Sequence, residues 1–333
     1  MHLRNLTRML AAGATAATLV AYARYRKEMR SIRDALDRGG TIAETEVGDI
    51  EYAESGEGEA ALVIHGAGGG YDQGLLIGRD LGEGFRIIAP SRFGYLKTPV
   101  PDDFSPAAQA DAHAALLDFL DIDKALVMGA SAGAPSAIEL ALRHPERVSA
   151  LILLVPRAYD PANSVGVDQS APSQAVLRLV ENAADFPFWL AIQFAREAVV
   201  RFLGVPPEVE ARASPTERAR MTEIMRSILP LSSRMRGLEV EKSIEIKPWP
   251  LERIKVSTLI VSAKDDLFKT LPAARFTADH IPGAELRVLP DGGHLMVGQN
   301  ELVRSWIQDF LRKQRSRQRR HERQVAKVLE TVS

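Results

Sequence analysis

The run Gly129-Ala130-Ser131-Ala132-Gly133 sets a serine among small neighbours, between an apolar β-type stretch and a helical one. A serine hydroxyl is a weak nucleophile near neutral pH. It needs a base within hydrogen-bond reach, and an acid behind that base to hold the useful tautomer. Gly129 and Gly133 suit a strained strand-to-helix turn, because a larger side chain at either position would collide with neighbouring backbone. Such a turn lifts the hydroxyl clear of the sheet.

Histidine is the usual base, and the chain has 7. His2 and His321 lie in the end segments, His113 lies inside a helical run, and His144 and His280 sit near helix ends, each with an ordinary surface role. His294 closes Asp291-Gly292-Gly293-His294, just after the last strand pattern, and is the candidate base. His65 opens His65-Gly66-Ala67-Gly68-Gly69-Gly70, a loop whose exposed amides suit a developing oxyanion. Ala67 is the expected first donor, the amide after the nucleophile, Ala132, is the second, and His65 orients the loop. A phosphate cradle is the competing reading. It lacks the Walker lysine, and the loop opens on His-Gly where G-x-G is required. For the acid, Ala263-Lys264-Asp265-Asp266 follows another strand pattern, and either carboxylate could serve.

These loops need a sheet to hold them. From residue 41 onward, short β-rich runs alternate with helical patterns, the signature of an α/β architecture with a mostly parallel sheet. Strands are predicted at Thr45–Ala53, Ala61–Ile64, Phe85–Ile88, Ala125–Met128, Val148–Leu154, Thr258–Ser262 and Glu285–Leu289. Helices are predicted at 105–120, 132–143, 272–280 and 295–312, the first opened by Ser105-Pro106 as cap and first helical residue. The candidate residues then all fall at the carboxyl end of the sheet, where open α/β proteins place their sites. The alternation breaks over 157–250, a Pro-containing, helix-prone stretch too long for a structureless loop. It reads as a helical insertion over one end of the sheet. Its aromatics, Phe186, Phe188, Trp189, Phe194, Phe202 and Trp249, are expected mainly in the insertion's own core, with some lining the cavity beneath.

Composition narrows the chemistry. At 333 residues and 46% hydrophobic the chain can bury a large core, and with no cysteine it can have neither thiolate metal sites nor a cysteine nucleophile. No metal or organic cofactor is implied. The net charge of −1 hides basic ends: residues 1–33 carry seven Lys/Arg against one Glu, and 313–333 carry seven against two. The body between them is acidic, and the last segment lacks aromatic interleaving, so no nucleic-acid partner is expected.

Residues 9–23 are uncharged and Ala-rich between Arg8 and Arg24. As a helix they reach about 22 Å, short of a hydrocarbon core of about 30 Å unless flanking arginines snorkel. Ala21-Tyr22-Ala23 mimics a secretory cleavage site, but Arg24, Arg26 and Lys27 argue against export. Positive charge is denser after the segment than before it, which leaves the body cytoplasmic if the segment inserts. Residues 1–40 are therefore a candidate membrane anchor, with a membrane surface as partner through 9–33. The alternative is an amphipathic helix packing on the body. Residues 313–333 read as a basic, solvated helical tail.

Taken together, the chain resembles the α/β-hydrolase superfamily, of the serine-nucleophile, capped kind, over about residues 41–312. Beyond the Ser131, acid, His294 order, His65-Gly66 resembles the family's oxyanion loop. Ser91-Arg92-Phe93-Gly94-Tyr95 resembles its D-x-x-G-x-G-x-S stretch, and Arg143-His144-Pro145-Glu146-Arg147-Val148 its helix-to-strand link. Two departures stand out: Ser91 replaces the usual Asp, and Ser262 and Thr270 stand near the Gly and Pro of the G-x-x-D-x-x-x-P pattern around the acid. Aligning the pair of aspartates with that pattern favours Asp266. The resemblance implies a core of 41–156 and 251–312 with a helical cap of 157–250. It also implies a serine hydrolase of the carboxylesterase or lipase-like kind, acting through an acyl-enzyme on a small apolar or amphipathic ester-like substrate. A cofactor-free perhydrolase, a carbon–carbon bond hydrolase and a low-turnover ligand-binding protein share these residues.

Overall fold

The computed structural model describes residues 2–332, with side chains from 18 to 317. Its centre is one eight-stranded sheet: β1 (Thr41–Thr45), β2 (Gly48–Ser55), β3 (Glu59–Ile64), β4 (Phe85–Pro90), β5 (Ala125–Ala130), β6 (Val148–Leu154), β7 (Thr258–Ala263) and β8 (Glu285–Leu289). The order is β1-β2-β4-β3-β5-β6-β7-β8. β1–β2 and β2–β4 pair antiparallel, and every other neighbour pairs parallel.

The sequence predicts one strand over Thr45–Ala53. The chain instead turns at Glu46-Val47, and β1 folds back on β2 with Thr45 opposite Gly48, which has φ 111°. Two-residue alternation carries on unbroken through a two-residue turn, so the pattern hides the hairpin.

Successive residues of the central strands face opposite layers. Leu62, Ile64 and Val127 pack towards α3 (Pro106–Phe119), α4 (Ala134–Arg143) and α11 (Leu271–His280). Ala61, Val63, Leu126 and Met128 pack towards α2 (Tyr71–Gly78) and α12 (Asn300–Val332). Burial on both faces is why these strands read as continuous apolar runs. Ser105 caps α3 as expected, its hydroxyl accepting from the Ala108 amide at 3.2 Å. His113 in the same helix is not a surface residue. It is fully buried against α4, where burial first, and Arg92 second, push its imidazole down to about 3.

Between β6 and β7 the chain forms six helices: α5 (Ala171–Glu181), α6 (Asp185–Phe194), α7 (Arg196–Phe202), α8 (Pro207–Ala211), α9 (Pro215–Arg226) and α10 (Met235–Ser243). Phe188, Trp189, Val199, Met221 and Met225 form their core, completed by Met29 from α1 (His2–Gly39). Phe194 departs from the core role expected of it and is 81% exposed.

A helix over 295–312 is expected, but α12 starts only at Asn300, because positive φ at Gly292, Gly293, Met296 and Gly298 keeps the preceding residues in turns. Those turns carry His294. The basic C-terminal stretch begins on the body, with Arg315 paired to Glu59 at 2.8 Å. Among the described residues no helix is long and apolar enough to cross a membrane. The side chains of residues 9–17 and 318–333 lie outside those described.

Candidate active site

Ser131 follows β5 directly and opens the single 3-10 turn Ser131–Gly133 that leads into α4. Its φ of 49° is a conformation that non-glycine residues rarely hold without support. Support comes from both sides: the Arg157 amide donates to the Ser131 carbonyl at 2.9 Å, and Gly133 sits where a Cβ would lie 2.5 Å from the Ile64 carbonyl.

The histidine and one aspartate come to the serine from neighbouring sheet-end loops. His294 Nε2 lies 2.9 Å from Ser131 Oγ, and its Nδ1 lies 2.9 Å from Asp266 Oδ2. A carboxylate can only accept, so it fixes the proton on Nδ1 and leaves Nε2 free to take the serine proton. Asp266 also accepts from the Phe268 amide at 2.9 Å and from the Thr270 hydroxyl, which in turn lies 3.2 Å from Ser262 Oγ. Burial alone would raise the Asp266 carboxyl. The charge and hydrogen bond of His294, with Thr270 and Phe268, more than offset it and hold the group below the usual carboxylate range. Asp265 faces elsewhere: its oxygens accept from the Gly292 and Gly293 amides at 3.1 and 2.9 Å and shape the histidine's turn.

Ala67 is exposed in the Gly-rich loop beside Ser131, and Ala132 is the second residue of the 3-10 turn, where amides have no acceptor within the helix. His65 locks the loop. Its Nε2 accepts from the Arg92 amide at 3.0 Å, so its Nδ1 carries the proton and donates to the Gly66 carbonyl at 2.7 Å. Full burial, with Arg92 as a second cause, holds this imidazole well below its usual value and therefore neutral.

Around these residues lies a set of buried charges whose roles sequence reasoning did not assign. The Arg92 guanidinium donates to the carbonyls of Ala132 at 3.1 Å and Gly66 at 3.2 Å, one in each candidate oxyanion loop, and to the carboxylate of Glu241 on α10. Glu241 also accepts from Tyr95, whose hydroxyl oxygen receives the Gly68 amide, and from Arg157. Fully buried Arg234 donates to the Gly69 carbonyl at 2.6 Å and pairs with Asp72. On the opposite side the Gly204 carbonyl, after α7, accepts from the amides of Leu267 and His294 at 3.1 and 3.0 Å. The helices between β6 and β7 are thus tied to all four loops. Arg92 stands in a sheet-end loop and could have been suspected on that ground; Glu241 and Gly204 have no local signal.

Ser131 and His294 open on a cavity of about 280 Å³. Leu154, Val180, Phe202, Ile224, Ile228 and Phe268 give it a mainly apolar wall, while Arg220, Asn300 and Arg304 also border it. Among the described residues no group of three or more His, Asp or Glu could hold a metal ion.

Residues 61–301 match the profile of the alpha/beta hydrolase fold. The chain belongs to that family. A relative from Burkholderia cepacia, a 2-hydroxy-6-oxo-6-phenylhexa-2,4-dienoate hydrolase, is 27% identical over 74% of this chain and 84% of its own. Among solved structures, an alpha/beta hydrolase fold protein from Nakamurella multipartita matches at TM-score 0.66 and 27% identity, covering 82% of this chain and 99% of that one. A thermophilic esterase from Thermogutta terrifontis shares the fold at TM-score 0.59 and 23% identity, over 83% and 98%.

As an α/β hydrolase the chain departs from the pattern at two places, and the structure fills both with hydrogen bonds. Ser262 and Thr270 are the hydroxyls behind Asp266. At Ser91 the missing carboxylate is replaced from β2: Glu51 accepts from the Ser91 hydroxyl and the Lys97 amide, both at 3.1 Å.

Proposed function

We propose that this α/β hydrolase cleaves an apolar or amphipathic carboxylic ester through an acyl-enzyme formed on Ser131. The observation that carries the reading is the continuous chain Ser131 Oγ, His294, Asp266, with 2.9 Å at each step, opening on an apolar cavity. His294 Nε2 takes the hydroxyl proton as Oγ attacks the carbonyl carbon. The resulting imidazolium lies against the Asp266 carboxylate, and the oxyanion faces the Ala67 and Ala132 amides. Collapse breaks the ester bond, and the alcohol leaves with the proton from His294. A water molecule then gives its proton to His294 and attacks the acyl carbon, releasing the acid and restoring Ser131.

The cavity wall supports an apolar acyl or alcohol group near the serine. An amphipathic substrate is supported by Asn300, whose Oδ1 is buried without a hydrogen-bond partner. Val180, Phe202, Ile224 and Leu238, on four helices of the segment between β6 and β7, border the same space, which supports reading 157–250 as a cap. A second reading, hydrolysis of a carbon–carbon bond beside a carbonyl, is favoured by the Burkholderia relative's name and uses the same three side chains.

The test is a panel of p-nitrophenyl esters of graded acyl length beside a 2-hydroxy-6-oxo-dienoate. Ester turnover abolished by Ser131→Ala, with a maximum at an intermediate chain length, is the expected result. Cleavage of the dienoate with no ester preference would replace ester hydrolysis by the second reading.

A further inference from the structure

α1 lies on the helices between β6 and β7 with one face turned in and the other turned out. A residue advances an α-helix by about 100°, so Ala21, Tyr25, Met29, Ile32 and Leu36 share one stripe, and all five pack on the body. Glu28 fixes the register, receiving Trp189 Nε1 at 2.9 Å and pairing with Arg226 at 3.0 Å. Over residues 18–39 most of the remaining helix surface is exposed.

That outer surface is apolar and basic at once. Leu19, Val20, Tyr22 and Phe194 are 64, 56, 44 and 81% exposed, and they make up half of the large exposed hydrophobic side chains among the described residues. Val20 and Phe194 line one groove together with Arg24 and Lys27. Arg26 and Arg30 extend the basic side around the helix. Among the described residues most arginines pair with carboxylates, yet Arg24, Arg26, Lys27 and Arg30 are exposed with no carboxylate partner in that set. From Leu19 to Arg30 the cations follow the apolar residues, so within this stretch side chains that favour hydrocarbon come first and side chains that favour phosphate after them.

We propose that this surface, the outer face of α1 with Phe194, docks the protein on an anionic lipid bilayer. An exposed apolar group flanked by unpaired cations matches the interface of such a membrane, where acyl chains lie beneath a negative surface. The surface is distinct from the Ser131 cavity, and the proposal does not depend on the ester reading. Because α1 shares its apolar core with the helices bordering that cavity, docking would bring them to the lipid surface.

The test is flotation of the full chain with phosphatidylcholine vesicles, with and without phosphatidylglycerol, at low and high salt. Three proteins are compared: the parent, R24Q/R26Q/K27Q/R30Q and V20S/F194S, each checked for an unchanged circular dichroism spectrum. The parent is expected to float with the anionic vesicles and to be released by salt. The fourfold variant should lose partitioning by several hundredfold, at on the order of fivefold per cation. V20S/F194S should bind more weakly on the same vesicles. No flotation, equal flotation on phosphatidylcholine alone, or a fourfold variant that floats like the parent would overturn the proposal. So would a parent that is oligomeric without lipid and becomes monomeric on V20S/F194S, since the surface would then be an interface between copies.

Discussion

Glu241 and Arg92 form a buried ion pair across 149 residues of sequence, and that pair joins α10 to the peptides on both sides of the candidate oxyanion site. The glutamate belongs to the inserted helices and the arginine to the sheet-end loop after β4. Two further donors, Tyr95 and Arg157, converge on the same carboxylate. The inserted segment therefore helps build the site's backbone as well as its apolar wall.

Removing Glu241 leaves Arg92 buried without its charge partner. Loss of one member of such a pair costs about 3–5 kcal/mol. Glu241→Ala is expected to lower unfolding free energy in urea by that amount. Glu241→Gln, which keeps an acceptor for Tyr95 and Arg92, should lose less stability and show its main effect in kcat, because the Gly66 and Ala132 peptides are then held less firmly. A fully stable, fully active Glu241→Ala would show that the pair positions nothing.

The two adjacent aspartates hold different partners, Asp266 the His294 imidazole and Asp265 the Gly292 and Gly293 amides. Asp266→Asn removes the carboxylate that fixes the His294 tautomer and should lower kcat by roughly 10³–10⁴-fold, as such a change does in serine hydrolases of this design. Asp265→Asn loosens the Gly292-Gly293 turn and should cost far less. Thr270→Val withdraws one hydrogen bond from a charged acceptor, worth about 1.5–3 kcal/mol, and should lower kcat/KM by roughly 10–100-fold, with Thr270→Ser restoring most of it. Steady-state kinetics on one chromogenic ester ranks the variants, and equal losses in both asparagine variants would contradict the assignment.

Two buried histidines make stability depend on pH. His113 is lowered to about 3 by burial and then by Arg92, and His65 is lowered for the same reasons in the same order. An unfolded histidine takes up its proton near about pH 6.5. Between that pH and about 3 the unfolded chain therefore binds more protons, and stability falls as pH falls. It is fully present above about pH 6.5. His113 contributes a slope of about 1.4 kcal/mol per pH unit within this window, and His65 adds to the fall in the same direction. Urea titrations at intervals from pH 7 to 4 should show a shallower fall for His113→Gln than for the parent, by about that slope. An unchanged slope would mean that His113 is protonated in the native protein.

What the sequence made legible follows from the range over which each feature is encoded. Ser131 and His294 are readable because a short loop after a buried strand is a local pattern with one chemically active residue in it. Asp265 and Asp266 share such a loop, and only the turn geometry decides which carboxylate points at the imidazole. The β1–β2 hairpin was hidden by alternation that continues through Glu46-Val47, and the start of α12 by apolar residues at 295–297 that suit a helix but lie in turns. His113 reads like an ordinary helix residue, since nothing within α3 tells that α4 covers it. Glu241, Arg234 and Gly204 could not be found at all: their partners lie in other loops, brought close only by the fold.

The account stands most directly on an activated Ser131. The purified protein is treated with a fluorophosphonate, digested and mapped by mass spectrometry, with Ser131→Ala and His294→Ala alongside. The expected result is one phosphonylated peptide carrying Ser131, absent from the serine variant and strongly slowed in the histidine variant. A folded parent protein that gains no adduct, or gains it on another residue while Ser131→Ala is labelled equally, would contradict the account.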